Sequence, residues 1–522
     1  MARLTLVTAL ALTGSSSALQ IPLQLPFDTP WTSHRHVVTA DEAGKLPLVD
    51  SETLQSKISS HALESRSKVL YDIARKAEEE YGHPTRVIGS ADAHVFGGPG
   101  HDGTISYITS VLAELGSYYD VSSQVFPAVT GHVSESRLVI GDEVPRSASP
   151  MGLTPPTRDN EPVYGDLILV GNEGCEPSDF PSEAEGNIVL IKRGTCPFGT
   201  KSENSGKAGA LAAVVYNTDP EVVHGTLGTP SPHHVATFGI GGEEGEKYAK
   251  KLREGESLDA IAYMDAEVRI ITTTNILAQT SGGDPDNCVM LGAHSDSVAE
   301  GPGINDDGSG SLSILEVAVQ LASFRVNNCV RFAWWSAEEE GLLGSDYYVS
   351  VLSEEENRKI RLFMDYDMMA SPNYAYQIYN ATNEENPTGS AELKELYVDW
   401  YESQGLNYTF IPFDGRSDYD AFIRNGIPGG GIATGAEGVK TKDEEELFGG
   451  KAGDWYDPCY HQLCDDLSNV DLEAWEVNTK LIAHSVATYA VSFEGFPKRT
   501  DELVKRNAYT GRTKYHGPKL VV

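Results

Sequence analysis

Basic side chains are scarce in this chain: 40 Lys and Arg stand against 76 Asp and Glu, a formal charge of -36. A surface of that sign repels nucleic-acid phosphates and anionic membrane faces, so neither is an expected partner. After the first residues no apolar run is long enough to cross a bilayer. Cysteine is also sparing, at six residues with no pair separated by just two, which speaks against a thiolate zinc site. A G-x-S-x-G elbow with a Ser-His-Asp set is missing, which excludes the common serine hydrolases. The Gly-rich string GPGINDDGSG lacks the Gly-Lys-Ser/Thr of a phosphate loop, and its adjacent acids would repel phosphate.

What is present describes a loop-rich globular protein: 40% hydrophobic residues with 51 Gly, 27 Pro and 24 Tyr. Its 522 residues point to two domains plus terminal segments. Arg3, the apolar stretch Leu4–Leu12 and the small residues Gly14–Ala18 read as a secretory signal over 1–18, cleaved after Ala18. The mature protein is then expected outside the cell, with the vacuolar lumen as the alternative, and as a monomer. Residues 19–50 fit either a propeptide or an extended lead-in, and 497–522 a basic, solvated tail. Secretion makes the cysteines disulfide candidates: Cys459 with Cys464 around His461, Cys175 with Cys196, and Cys288 with Cys329. Asn380 and Asn407 head N-x-T sequons and are candidate glycosylation sites.

Leu54, Ile58, Leu63, Leu70 and Ile73 recur at helical spacing and predict one helix over Ser51–Tyr81, stopped by Gly82-His83-Pro84. Another is predicted over Thr104–Leu115. The texture then turns to short β-type runs: Arg137–Ile140, Asp166–Val170, Ile188–Ile191, Ala212–Tyr216 and Ala260–Met264, interrupted by a single helical stretch, Thr200–Ala210. The strings GNIVLIKRGTCPFGTK and KAGALAAVVYN, in that order, resemble the protease-associated domain. The resemblance implies a β-rich insert over 135–265, of the kind that shapes the substrate entrance in secreted and vacuolar peptidases. Lys192, Arg193 and Lys201 are expected to be solvated charges within it.

From Ile270 onward strands and helices alternate (Val289–Ala293, Ser311–Phe324, Val330–Ser336, Ile360–Asp367), which predicts an α/β fold with a mostly parallel central sheet flanked by helices. Segments 51–134 and 266–496 would build that domain around the insert. Ligands in such sheets lie beyond the carboxyl ends of strands. His294 follows VMLGA, Glu338 and Glu339 follow VRFAWWSA, and Asp367 closes the run from Ile360. Together with Asp306 and His461 these residues offer two imidazoles and four carboxylates, a donor set for paired zinc ions at a hydrolytic site.

Six ordered strings, AHSDS, GPGINDDGSG, WWSAEEEGLLGS, YDMMASP, GRSDYDAF and DPCYHQLCDD, resemble the zinc aminopeptidases with a co-catalytic metal pair. The resemblance implies the zinc peptidase fold and two Zn2+ per chain. It assigns His294 and Asp367 to one ion, Glu339 and His461 to the other, and Asp306 as the bridge. It further implies Glu338 as general base, Asp296 orienting His294, Tyr460 hydrogen-bonding the oxyanion, Arg416 touching substrate, and a cis peptide bond between Asp306 and Asp307. Alternatives stay open at several of these. Three consecutive glutamates allow two registers, and the family pattern, which favours Glu338 and Glu339, makes Glu340 a surplus charge. Asp365 and Asp367 share a strand face, with the following MMASP favouring Asp367. Asp296 fits a loop cap, Tyr460 a packing residue and Arg416 an ion pair. The activity implied is release of amino-terminal residues, preferably leucine and other apolar ones, from peptides with a free amine. A carboxypeptidase or glutaminyl-cyclase-like enzyme and a non-catalytic binding protein of the same fold are the alternatives.

Overall fold

Cys288–Ala293 is a run without a charged or hydrogen-bonding side chain, a pattern suited to a strand buried on both faces. In the computed structural model, which describes residues 46–89, 98–218, 220, 223 and 225–499, this run is the inner part of strand Asp284–His294. Val289, Leu291 and Ala293 pack into one hydrophobic cluster and Met290 into another, so successive side chains feed cores on opposite faces of the sheet. The expected signal over 1–18 lies outside the described residues, as do most of the lead-in and of the basic tail.

Numbered along the chain, the strands are β1 (Tyr119–Ile140), β2 (Ser149–Pro150), β3 (Val163–Leu169), β4 (Ile188–Lys192), β5 (Ala212–Tyr216), β6 (Ala236–Ile240) and β7 (Asp259–Thr280). They continue as β8 (Asp284–His294), β9 (Asn328–Trp335), β10 (Ile360–Tyr366), β11 (Gln377–Tyr379), β12 (Thr409–Ile411) and β13 (Gly429–Ala433). At the centre β13, β10, β8 and β9 run parallel in that spatial order. Antiparallel β7 and β11 flank them. The two longest strands, β1 and β7, pair with each other along nearly their whole length. This ribbon leads the chain out to the insert and back, and β7 continues the sheet there by pairing with β3. Helices Gly308–Leu321 and Leu472–Val491 supply one core, including Leu312, Leu315, Trp475 and Ile482.

The insert repeats the logic on a smaller scale. Strands β3, β4, β5 and β6 are parallel neighbours. Ile188 and Leu190 face one cluster, and Val189 and Ile191 the other. Two helices cover it, Phe198–Lys207 and Gly242–Arg253. The second corrects the expectation of a single helical stretch. Its apolar residues are few, and charge holds it: Glu243 and Glu244 lie in the first turn, with Lys250, Lys251 and Arg253 in the last, complementing the helix dipole. Lys201 is not a solvated charge either; it is fully buried and its Nζ donates to the Glu173 carbonyl.

The helix expected over Ser51–Tyr81 is broken into Ser51–Gln55, Ser60–Ala74 and Glu78–Tyr81. Ser59 accepts the N–H of Ala62 on its hydroxyl, so a new N-cap outcompetes continuation while Ile58 stays buried. The next helix starts at Pro99 rather than Thr104, with proline in the first turn, where its missing N–H is harmless. All three expected disulfides are formed. Asn380 and Asn407 are both exposed.

Candidate metal centre

Most of the donor side chains sit where a strand ends. His294 is the last residue of β8, and Glu338 and Glu339 lie just past β9, after Ala337 turns the chain at φ 62°. Asp367 follows β10, and Asp306 stands in the loop before helix Gly308–Leu321. His461 comes from the distant loop between Cys459 and Cys464. The Asp306–Asp307 peptide bond is cis, as the resemblance implied.

Asp306 lies between the imidazoles: its Oδ1 is 3.2 Å from His294 Nε2 and its Oδ2 is 3.2 Å from His461 Nε2. Glu339 Oε2 is 3.1 Å from His461 Nε2, and Asp367 Oδ1 is 3.8 Å from His294 Nε2. Glu338 Oε2 lies 4.0 Å from His294 Nε2. The five expected donors and the expected base are thus brought to one point. His294, Asp306 and Glu339 offer ligand atoms within 4.8 Å of one another, as do His294, Asp307 and Asp367. Asp307, however, is already engaged, accepting the backbone N–H groups of His294, Gly310 and Met368.

Several donor atoms here are buried without a partner: His294 Nδ1, Glu339 Oε1 and Asp367 Oδ1. Burial drives the Glu338 carboxyl well above its ordinary range, against the pull of His294 and with the push of Glu339. Burial likewise lifts Asp367 to about 6, with His294 opposing and Asp306 adding. Burial pulls the two imidazoles down, yet the carboxylates outweigh it and hold both well above their ordinary value, Glu338 and Asp306 at His294, Glu339 and Asp306 at His461. A pocket of buried acids that raises its histidines in this way calls for further positive charge, and its N and O donors suit zinc.

The remaining expected residues fall out as follows. Asp296 accepts the N–H groups of Glu338 (3.3 Å) and Glu339 (3.4 Å), while its Oδ1 stays 3.8 Å from His294 Nδ1, so the contact it makes is that of a loop cap beside the imidazole. Tyr460 stacks on the His461 ring at 3.8 Å, and burial holds its phenol well above its ordinary value. Arg416 pairs with Glu437 at 2.8 Å on an exposed surface, the ion-pair alternative. Asp365 is buried, with neither carboxylate oxygen hydrogen-bonded. Glu340 makes none of the contacts to the imidazoles and is not solvated. It is buried beside Thr130 of β1, and burial together with Asp296 and Glu339 raises its pKa far above the carboxylate range.

Sequence reasoning missed the supports beneath these residues. Arg86 is fully buried and donates through Nε, Nη1 and Nη2 to the carbonyls of Pro302, Ser295 and Gly303. His101 meets Ser295 Oγ at 3.0 Å. Asp457 and Asp465 bracket the His461 loop and bind Asn305. Only the last two left a signal, as acids flanking the cysteines in DPCYHQLCDD.

Buried carboxylates and imidazoles converging beyond the ends of parallel strands define a metal-dependent hydrolase of the α/β class. Residues 275–486 match Peptidase family M28 and residues 163–248 the PA domain. Aminopeptidase Y of Saccharomyces cerevisiae is 50% identical over 490 residues, 91% of this chain and 88% of its own length. Leucine aminopeptidase 2 of Trichophyton tonsurans is 42% identical over 457 residues, 87% of this chain and 88% of its own. Among solved structures, the aminopeptidase of Aneurinibacillus sp. strain AM-1 superposes with a TM-score of 0.65 at 27% identity, over 83% of this chain and 96% of that one. A zinc aminopeptidase from Bacillus subtilis shares the fold, with a TM-score of 0.55 at 24% identity over 84% and 97%. The chain belongs to peptidase family M28: it is a metallo-aminopeptidase carrying a PA domain.

Proposed function

We propose that this chain removes the amino-terminal residue from peptides with a free amine, leucine and other apolar residues preferentially, and that it works with two zinc ions. His294 and Asp367 would hold one, Glu339 and His461 the other, with Asp306 shared. The observation that carries this is the position of Asp306, whose two oxygens each face a different imidazole at 3.2 Å. Bound there, two ions supply Lewis acidity at the peptide carbonyl and activate water near neutral pH.

The chain's own groups do the rest. Glu338, with its side chain 10% exposed and 4.0 Å from His294, takes a proton from the attacking water and returns it to the departing amine. Tyr460, fixed by stacking on His461, is placed to donate to the oxygen that gains charge. The substrate's free amine settles among the carboxylates, so a neutral, acetylated terminus loses that anchor.

Segments 51–134 and 266–496 form the peptidase domain around a PA insert at 135–265, and we propose that the chain enters the secretory pathway. No helix among the described residues is long and apolar enough to cross a membrane. The test is release of leucine from a Leu-peptide and its N-acetyl twin by zinc-loaded and chelator-stripped protein. Release from the free-amine peptide alone, dependent on zinc, is expected; equal release from both would overturn the reading.

A further inference from the structure

The two histidines of the centre are held by different means. His294 belongs to the sheet: it is 1% exposed, its N–H goes to Asp307 and its carbonyl receives the Ser311 hydroxyl. His461 stands on a loop, with its side chain 38% exposed. At its ends that loop is anchored by buried acids, Asp457 on Asn305 and Asn469, and Asp465 on the backbone of Asn305 and Asp306. Between these anchors His461 adopts φ 56°, the left-handed region that side chains with a Cβ disfavour. The Cys459–Cys464 disulfide closes the six-residue ring across it, and the N–H of Gln462 donates to the Cys459 carbonyl. His461 therefore sits at the crest of a cross-linked ring, with Tyr460 stacked on its imidazole.

We propose that the Cys459–Cys464 disulfide is a positioning element of the metal centre. It fixes His461 opposite Asp306 and Glu339, so retention of the ion on that side depends on the cross-link, whereas the other ion's own donors, His294 and Asp367, stand at the ends of strands outside the ring. The inference rests on the two-ion reading above. A ring of this size opened at its sulfurs gives His461 access to ordinary backbone conformations, from which the imidazole no longer faces Glu339.

The experiment is chelator competition, with zinc content read directly, on full-length wild type and Cys459→Ser/Cys464→Ser protein. Removing a group that orients a metal ligand weakens metal affinity by about 10- to 100-fold. The double variant is expected to keep one ion as wild type does and release the other at correspondingly lower chelator, with kcat falling more than KM and recovering in excess zinc. Two ions held at wild-type affinity by the folded variant would overturn the proposal. Should the variant fail to fold, wild type treated with a trialkylphosphine supplies the reading. The phosphine takes oxygen from water as the S–S bond breaks, leaving two thiols that iodoacetamide caps. Loss of one zinc in step with alkylation at Cys459 and Cys464, and not at Cys175 and Cys196, supports the proposal; both ions retained after capping overturns it. Wild type holding a single zinc would instead overturn the two-ion reading, and this inference with it.

Discussion

Asp465 accepts the backbone N–H of Asp306 at 3.0 Å, and its other oxygen takes the N–H of Asn305 at 2.9 Å. The main chain from which Asp306 reaches both imidazoles is thus pinned by an acid far along the sequence. Asp465→Ala leaves two buried N–H groups without acceptors, at a cost of about 1–3 kcal/mol each. It also frees the Asp306 carboxylate, and zinc affinity is expected to fall about 10- to 100-fold by chelator competition. Wild-type affinity in this variant would show that Asp306 needs no such support.

Arg86 is the keystone on the other side. Its guanidinium satisfies three carbonyls of the loop between β8 and Asp306, and no water can replace it in so buried a place. Arg86→Met should lower the urea midpoint by an amount equivalent to about 3 kcal/mol or more. Arg86→Lys, a point charge on a flexible stem, should recover only part of it.

Stability toward acid should report on His101. Burial, followed by the charges of Arg86 and His294, depresses its pKa from 6.5 to about 3. Because Ser295 Oγ donates to the Trp335 carbonyl, the His101 Nε2–H must donate to Ser295, a contact of the neutral ring. Above pH 6.5 neither folded nor unfolded chain is protonated there, and the contribution is full. As pH falls toward 3 the unfolded chain takes up the proton first and stability is lost, about 2 kcal/mol of it by pH 5. Urea unfolding at pH 7 and pH 5 should show His101→Asn less acid-sensitive by that amount.

The three glutamates can be told apart by amide substitution. Glu339 faces His461 at 3.1 Å, whereas Glu340 turns toward Thr130, where burial raises its pKa well above the carboxylate range. Glu339→Gln should lose zinc, while Glu340→Gln, which keeps an acceptor for Thr130, should retain both zinc and activity. The reverse result would shift the register by one residue.

Much of this was legible in the sequence for a physical reason. Apolar strands such as VMLGA and VRFAWW end abruptly in polar residues, and that edge is where a parallel sheet presents its ligand groups. His294, Glu338, Glu339 and Asp367 could therefore be picked out from their places, whereas the roles of each, and those of Asp306 and His461, came from the resemblance. Arg86 could not, because a lone arginine carries no periodicity and its partners are backbone carbonyls. The burial of Glu340 was not legible because sequence gives its neighbours along the chain but not Thr130 across the fold. The helix Gly242–Arg253 was missed because it rests on end charges and a narrow apolar face of Tyr248 and Ala249. The break at Ser59 was written in the sequence as a capping serine but masked by the apolar rhythm around it.

The central claim is that Glu338 moves the proton while other residues hold the metal. The measurement is Leu-peptide hydrolysis by wild type and Glu338→Gln, each with zinc content determined on the same sample. The account predicts two zinc ions in both proteins and a kcat lower by about 100- to 10,000-fold in the variant. A variant that keeps its zinc and turns over like wild type would contradict it.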